Sequence, residues 1–90
     1  MQVSKPVGTI VIEKGITTHG ADVTSYAVEG GKVNAVDIKG QVRANGKDSD
    51  AVLVSKKGAT PLTNVRAVAN SGKSLVVDDG EVTDRTGLSA

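Results

Sequence analysis

Histidine is the commonest side-chain base near neutral pH, and this chain carries one, His19, in the turn-like stretch Thr17-Thr18-His19-Gly20. Cysteine is absent, which excludes thiol nucleophiles and cysteine-ligated zinc. No Gly-x-Ser-x-Gly elbow presents a serine to His19, so the histidine reads as a solvated loop residue. The densest group of potential ligands is acidic: Asp78, Asp79, Glu81 and Asp84. Hard cations such as Ca²⁺ take several carboxylate and carbonyl oxygens from a tight loop, but the Asp-x-Asp-x-Asp-Gly spacing of an EF-hand is missing. Asp79-Gly80 supplies turn chemistry between Val76-Val77 and Val82, and solvated turn carboxylates need no ligand. No metal or other cofactor is therefore expected.

Two fragments of catalytic motifs fail on their surroundings. Leu75-Val76-Val77-Asp78-Asp79-Gly80 resembles the apolar-apolar-Asp-Thr-Gly phrase of retroviral-type aspartic proteases, but Asp79 stands where that family needs Thr or Ser. Adjacent carboxylates on a strand also point to opposite faces. Gly72-Lys73-Ser74 matches the end of a phosphate-binding loop, yet Ala67 occupies the position of its first glycine and no helix signal follows. Arg43, Lys47, Lys56 and Lys57 sketch a basic edge, but β-type nucleic-acid modules stack bases on several aromatic rings and this chain has one, Tyr26. Aromatic sugar platforms are excluded on the same ground. An enzyme is not expected.

The elements that would position any site are short β-branched runs bounded by Gly, Asn, Asp or Ser, the pattern of strands and turns. They are Val7–Glu13, Ile16–Thr18, Val23–Val28, Lys32–Ile38, Gln41–Ala44, Ala51–Ser55, Leu62–Ala69 and Leu75–Val77 with Glu81–Val82. Asn45-Gly46 predicts a type I′ hairpin, and Asp79-Gly80 a final one. About seven or eight strands at this spacing predict an all-β, single-domain antiparallel β-sandwich or barrel. Residues 1–6 form an N-terminal arm, 7–83 the β domain and 84–90 a flexible C-terminal tail in this reading. A β-solenoid is the alternative, because Gly8-Thr-Ile-Val-Ile-Glu-Lys-Gly15 and Val33-Asn-Ala-Val-Asp-Ile-Lys-Gly40 look like rungs. Their rhythm is similar to that of bactofilin filament proteins. The glycines at 20, 30, 31, 46, 58, 72 and 80 do not read as one period.

The apolar content is aliphatic, with fifteen valines, four isoleucines and four leucines against a single aromatic residue. Rings bury the largest areas in most cores, so a 90-residue chain lacking them and lacking disulfides is expected to gain order from self-association. Its net charge of +1, from 11 basic and 10 acidic residues, suggests neither nucleic acid nor an anionic membrane as partner. No stretch approaches the roughly 18 apolar residues of a membrane span. Met1-Gln2-Val3-Ser4-Lys5-Pro6 lacks the apolar region of a signal peptide, which makes the cytoplasm the expected place of synthesis.

A non-enzymatic structural assembly protein follows, expected to act through sheet edges, with Val3, Val7 and Tyr26 as interface residues. In its Val-, Gly-, Thr- and Ala-rich, cysteine-free composition the chain is similar to bacteriophage capsid decoration, or cement, proteins. That resemblance implies a virion location and, as partners, further copies of itself or a major capsid protein. A small binding module that uses its loops, and a filament-forming solenoid, are the alternatives.

Overall fold

A strand of two to six residues presents too little hydrogen-bonding edge to persist alone, so a chain built from such pieces has to stack them. In the computed structural model, which covers Met1–Ala90, eleven strands do so. They are β1 (Gln2–Val3), β2 (Val7–Ile12), β3 (Ile16–Thr18), β4 (Tyr26–Glu29), β5 (Val33–Ile38), β6 (Gln41–Ala44), β7 (Val52–Ser55), β8 (Ala59–Thr60), β9 (Arg66–Ala69), β10 (Leu75–Asp78) and β11 (Glu81–Val82). Every ladder between them is parallel. Strands next to each other in sequence do not pair; each pairs with the strand one full coil away.

The result is a β-solenoid of about three turns. One side is the sheet β1-β4-β7-β10. A second consists of β2-β5 and β8-β11, joined where Lys32 bridges Ala59. The third is β3-β6-β9, extended by a bridge from Arg66 to Ser89. A coil is about 25 residues long, within the range of known repeat periods: Tyr26 lies opposite Val52, and Val52 opposite Leu75.

The all-β reading of the sequence holds, and its finer form does not: the sheets are parallel, so the molecule is not an antiparallel sandwich or barrel. Neither expected hairpin forms. Asn45-Gly46 is a corner at which the chain leaves the third side, and Asp79-Gly80 is the corner between β10 and β11, which pair with β7 and β8 and not with each other. Solenoid corners and hairpins demand the same residue types. Positive φ falls at Asp48 (53°) and Asp79 (55°), and at Gly15, Gly30 and Gly40, without any reversal into an antiparallel partner.

Stacking in register explains how a core forms without rings. Val3, Val28, Val54 and Val77 make one column across the first sheet. Ile16, Val42 and Ala67 make another. Between the sheets lies a narrow interior that valines fill; Val28, Val42, Val52, Val54, Leu62 and Val65 are all fully enclosed. Each such side chain contributes roughly 1.5–3 kcal/mol relative to exposure. Tyr26 is the largest enclosed side chain, and its hydroxyl shares a hydrogen bond with Oγ1 of Thr60 at 2.9 Å.

Two buried serines tie successive coils together at the corner after the third side. Ser49 Oγ accepts from Val23 N at 3.0 Å and lies within donating distance of the carbonyl oxygens of Gly20 and Lys47. Ser25 Oγ donates to Arg43 O at 2.8 Å and meets Thr18 Oγ1 at the same distance. No buried side-chain polar atom lacks a partner.

Candidate assembly interface

The residues singled out as chemical candidates are dispersed over the surface. His19 is exposed at the corner following β3. Gly72-Lys73-Ser74 forms the equivalent corner one coil before the end, where Lys73 N donates to Asp50 Oδ1 at 2.8 Å, an internal contact. Asp78, Asp79 and Glu81 surround the β10–β11 corner and are exposed. Asp84 accepts from Thr86 N at 2.9 Å, and this hydrogen bond holds its carboxyl below the usual range. No three His, Asp or Glu side chains gather closely enough to hold a metal ion.

Arg43 makes two side-chain hydrogen bonds outside the core. Its Nε donates to Asn45 Oδ1 at 2.7 Å and its Nη2 to Asn70 Oδ1 at 3.1 Å, while Asn70 Nδ2 donates to Asn45 Oδ1. These bonds link the second and third coils along the third side.

What remains unsatisfied is backbone. In a stack of parallel coils the first and last strands each have one edge without a partner, and a row of unpaired N–H and C=O groups is a template for another strand. Here β1, β2 and β3 pair on one side only, with β4, β5 and β6. At the opposite end β10 and β11 pair only with β7 and β8.

The core columns run out at the same places. Val3, Val28 and Val54 are 5%, 0% and 0% exposed, whereas Val77, the last member of their column, is 40% exposed. Val77 therefore occupies an interior position with nothing above it. At the first end Val7, Ile12 and Ile16 are half-buried against the core.

The three residues expected at an interface fall in different settings. Val3 lies in β1, with its side chain enclosed. Val7 opens β2, opposite Val33, and is half-buried at the first end. Tyr26 opens β4, inside the second coil and wholly enclosed within a single copy. In the segment read as an arm, the Met1 ammonium donates to Ser25 O at 2.8 Å. In the segment read as a tail, Ser89 N donates to Val65 O and Leu88 packs on the core.

Reading the sequence strand by strand missed Val77, because its exposure arises only from the position of its coil in the stack. The available signal was the repeat: Val28-Glu29, Val54-Ser55 and Val77-Asp78 each close a strand of the first sheet. Family models, curated proteins and solved structures contain no match to this chain.

Proposed function

We propose that this chain is a non-enzymatic structural assembly module, a β-solenoid segment that joins larger structures by strand addition at its ends. The observation that carries this reading is Val77, a core-column residue exposed on a strand whose outer edge is unpaired. Strand addition would supply backbone hydrogen bonds, and burial of Val77 would supply apolar area. The aliphatic, cysteine-free composition supports a capsid decoration role as one setting, in which the same edges would meet a shell protein.

The test is the association state of the 90-residue chain. Sedimentation velocity should show concentration-dependent assembly of the wild type. Val77→Lys, which places a charge on the open end of the core column, should remain monomeric with an unchanged circular-dichroism spectrum. A wild type that stays monomeric at every concentration reached, or a Val77→Lys variant that assembles equally well, would falsify the reading.

A further inference from the structure

The two ends of the stack carry opposite charge at one corner of the solenoid. At the corner after the first side, the first coil carries Lys5, the second Glu29 and Lys32, the third Lys56 and Lys57, and the fourth Asp78 and Asp79, followed by Glu81 at the start of β11. Opposite charges already meet between coils here, since Lys56 Nζ lies 3.8 Å from Glu29 Oε2. That contact and Lys39–Asp37 are the molecule's only salt bridges. Lys5 at one end and Asp78, Asp79 and Glu81 at the other are thus left without ion-pair partners, and all four are exposed.

Continuing the observed register brings these two sets together. The first sheet pairs Val3 with Val28, Val28 with Val54 and Val54 with Val77, so the next strand of the same kind would place another Val3 opposite Val77. Lys5 and Asp79 each lie two residues past these valines, in the corner beyond the strand ends, so the two would come close together there. Along the second side, Lys32 bridges Ala59 and Ala59 pairs with Glu81, so Glu81 borders the same spot. Joining two first ends would bring together two surfaces that each carry Lys5 and the Met1 ammonium, and joining two last ends two that each carry Asp78, Asp79 and Glu81; like charges across an interface select against both pairings.

Resting on the assembly reading above, we infer that the occupant of these ends is a second copy of this chain, added head to tail, with Lys5 of one copy set on Asp79 and Glu81 of the next. Such an interface joins two different surfaces and leaves an open end after each addition, so it propagates as a polar filament. Because the ion pairs form at an exposed rim, salt weakens them.

Charge reversal tests the pairing on the whole chain. Lys5→Glu alone and the double variant Asp79→Lys/Glu81→Lys should each raise the concentration needed for assembly at least about tenfold at low salt. The triple variant Lys5→Glu/Asp79→Lys/Glu81→Lys should assemble like the wild type, and an equimolar mixture of the single and double variants should form filaments that neither forms alone. Unchanged assembly of either half-variant, or a folded triple variant that remains monomeric, overturns the head-to-tail pairing. The assembly reading falls separately, when the wild type stays monomeric or Val77→Lys assembles as it does.

Discussion

The phenol of Tyr26, at the start of β4, and the hydroxyl of Thr60, at the end of β8, meet at 2.9 Å inside the solenoid and link the second coil to the third. Thr60 Oγ1 also lies 2.9 Å from Pro61 O and donates to it, which leaves it an acceptor for the phenol proton. Thr60→Val would keep the shape and strand this phenol without a partner. The expected cost is about 1–3 kcal/mol, against about 1 kcal/mol for Tyr26→Phe, which removes the polar group itself. Urea unfolding of the two variants checks the order.

Burial pushes the Tyr26 phenol above its ordinary value of 10.0, and the hydrogen bond with Thr60 opposes this only in part. A group whose ionisation is delayed by folding favours the folded state fully below its unfolded pKa, and that advantage is lost as pH rises from 10.0 toward the folded value. Phenolate absorbance is unambiguous because the chain has one tyrosine. The expected onset lies at higher pH in the folded protein than in urea, and Tyr26→Phe should lose less stability than the wild type in that alkaline window.

Ser49→Ala should be costly for a change of a single oxygen. Its Oγ satisfies Val23 N and sits against the carbonyls of Gly20 and Lys47, and Ser49 itself is enclosed. Removing it leaves Val23 N without its partner, and a loss of about 1 kcal/mol is expected in chemical denaturation. Full recovery of stability by the alanine variant would show that the corner rearranges freely.

Gly46 is enclosed between coils, and a Cβ built there would overlap the carbonyl group of Gly20 beneath it. The obstacle is backbone, so no rotamer change relieves it. Gly46→Ala should lower stability by about 1–3 kcal/mol, whereas Gly8→Ala, where a Cβ meets nothing, should change it far less. Melting temperatures of the pair provide the comparison.

Millimolar Ca²⁺ is expected to leave the melting temperature unchanged, because the carboxylates of Asp78, Asp79 and Glu81 do not converge on a common point. A rise of many degrees that disappears in Asp79→Ala would instead reveal linkage to a bound cation.

Much of the local structure was legible in the residues. The runs expected at Val7–Glu13, Ile16–Thr18, Val23–Val28, Lys32–Ile38, Gln41–Ala44, Ala51–Ser55, Leu62–Ala69 and Leu75–Val77 each contain a strand, although those opening at Val23 and Leu62 begin only at Tyr26 and Arg66, and β1 and β8 fall outside the expected runs. What local pattern does not carry is the partner of each strand. Asn45-Gly46 fits a hairpin turn and a solenoid corner equally, and only the stacked fold shows that the backbone carbonyl of Gly20, one coil away, leaves no room for a side chain at Gly46. The repeat was also obscured by the third coil, where β8 has two residues against the six of β5 and the register shortens. The glycines consequently drift out of step: Gly46 lies over Gly20, but Gly72 lies over Ser49. The rung phrases beginning at Gly8 and Val33 do lie side by side, although Val33 faces Val7 and not Gly8.

Because Tyr26 and Val52 occupy equivalent places on the first side, Ser25 could be joined directly to Val52 with residues 26–51 excised, and the ladders of the flanking coils would still find one another. Contacts in such a stack are confined to nearest neighbours, so stability should change by the contribution of one coil and its interface. Evolution can therefore lengthen or shorten this rod in whole increments by duplicating or dropping a stretch of gene, without redesigning either extremity.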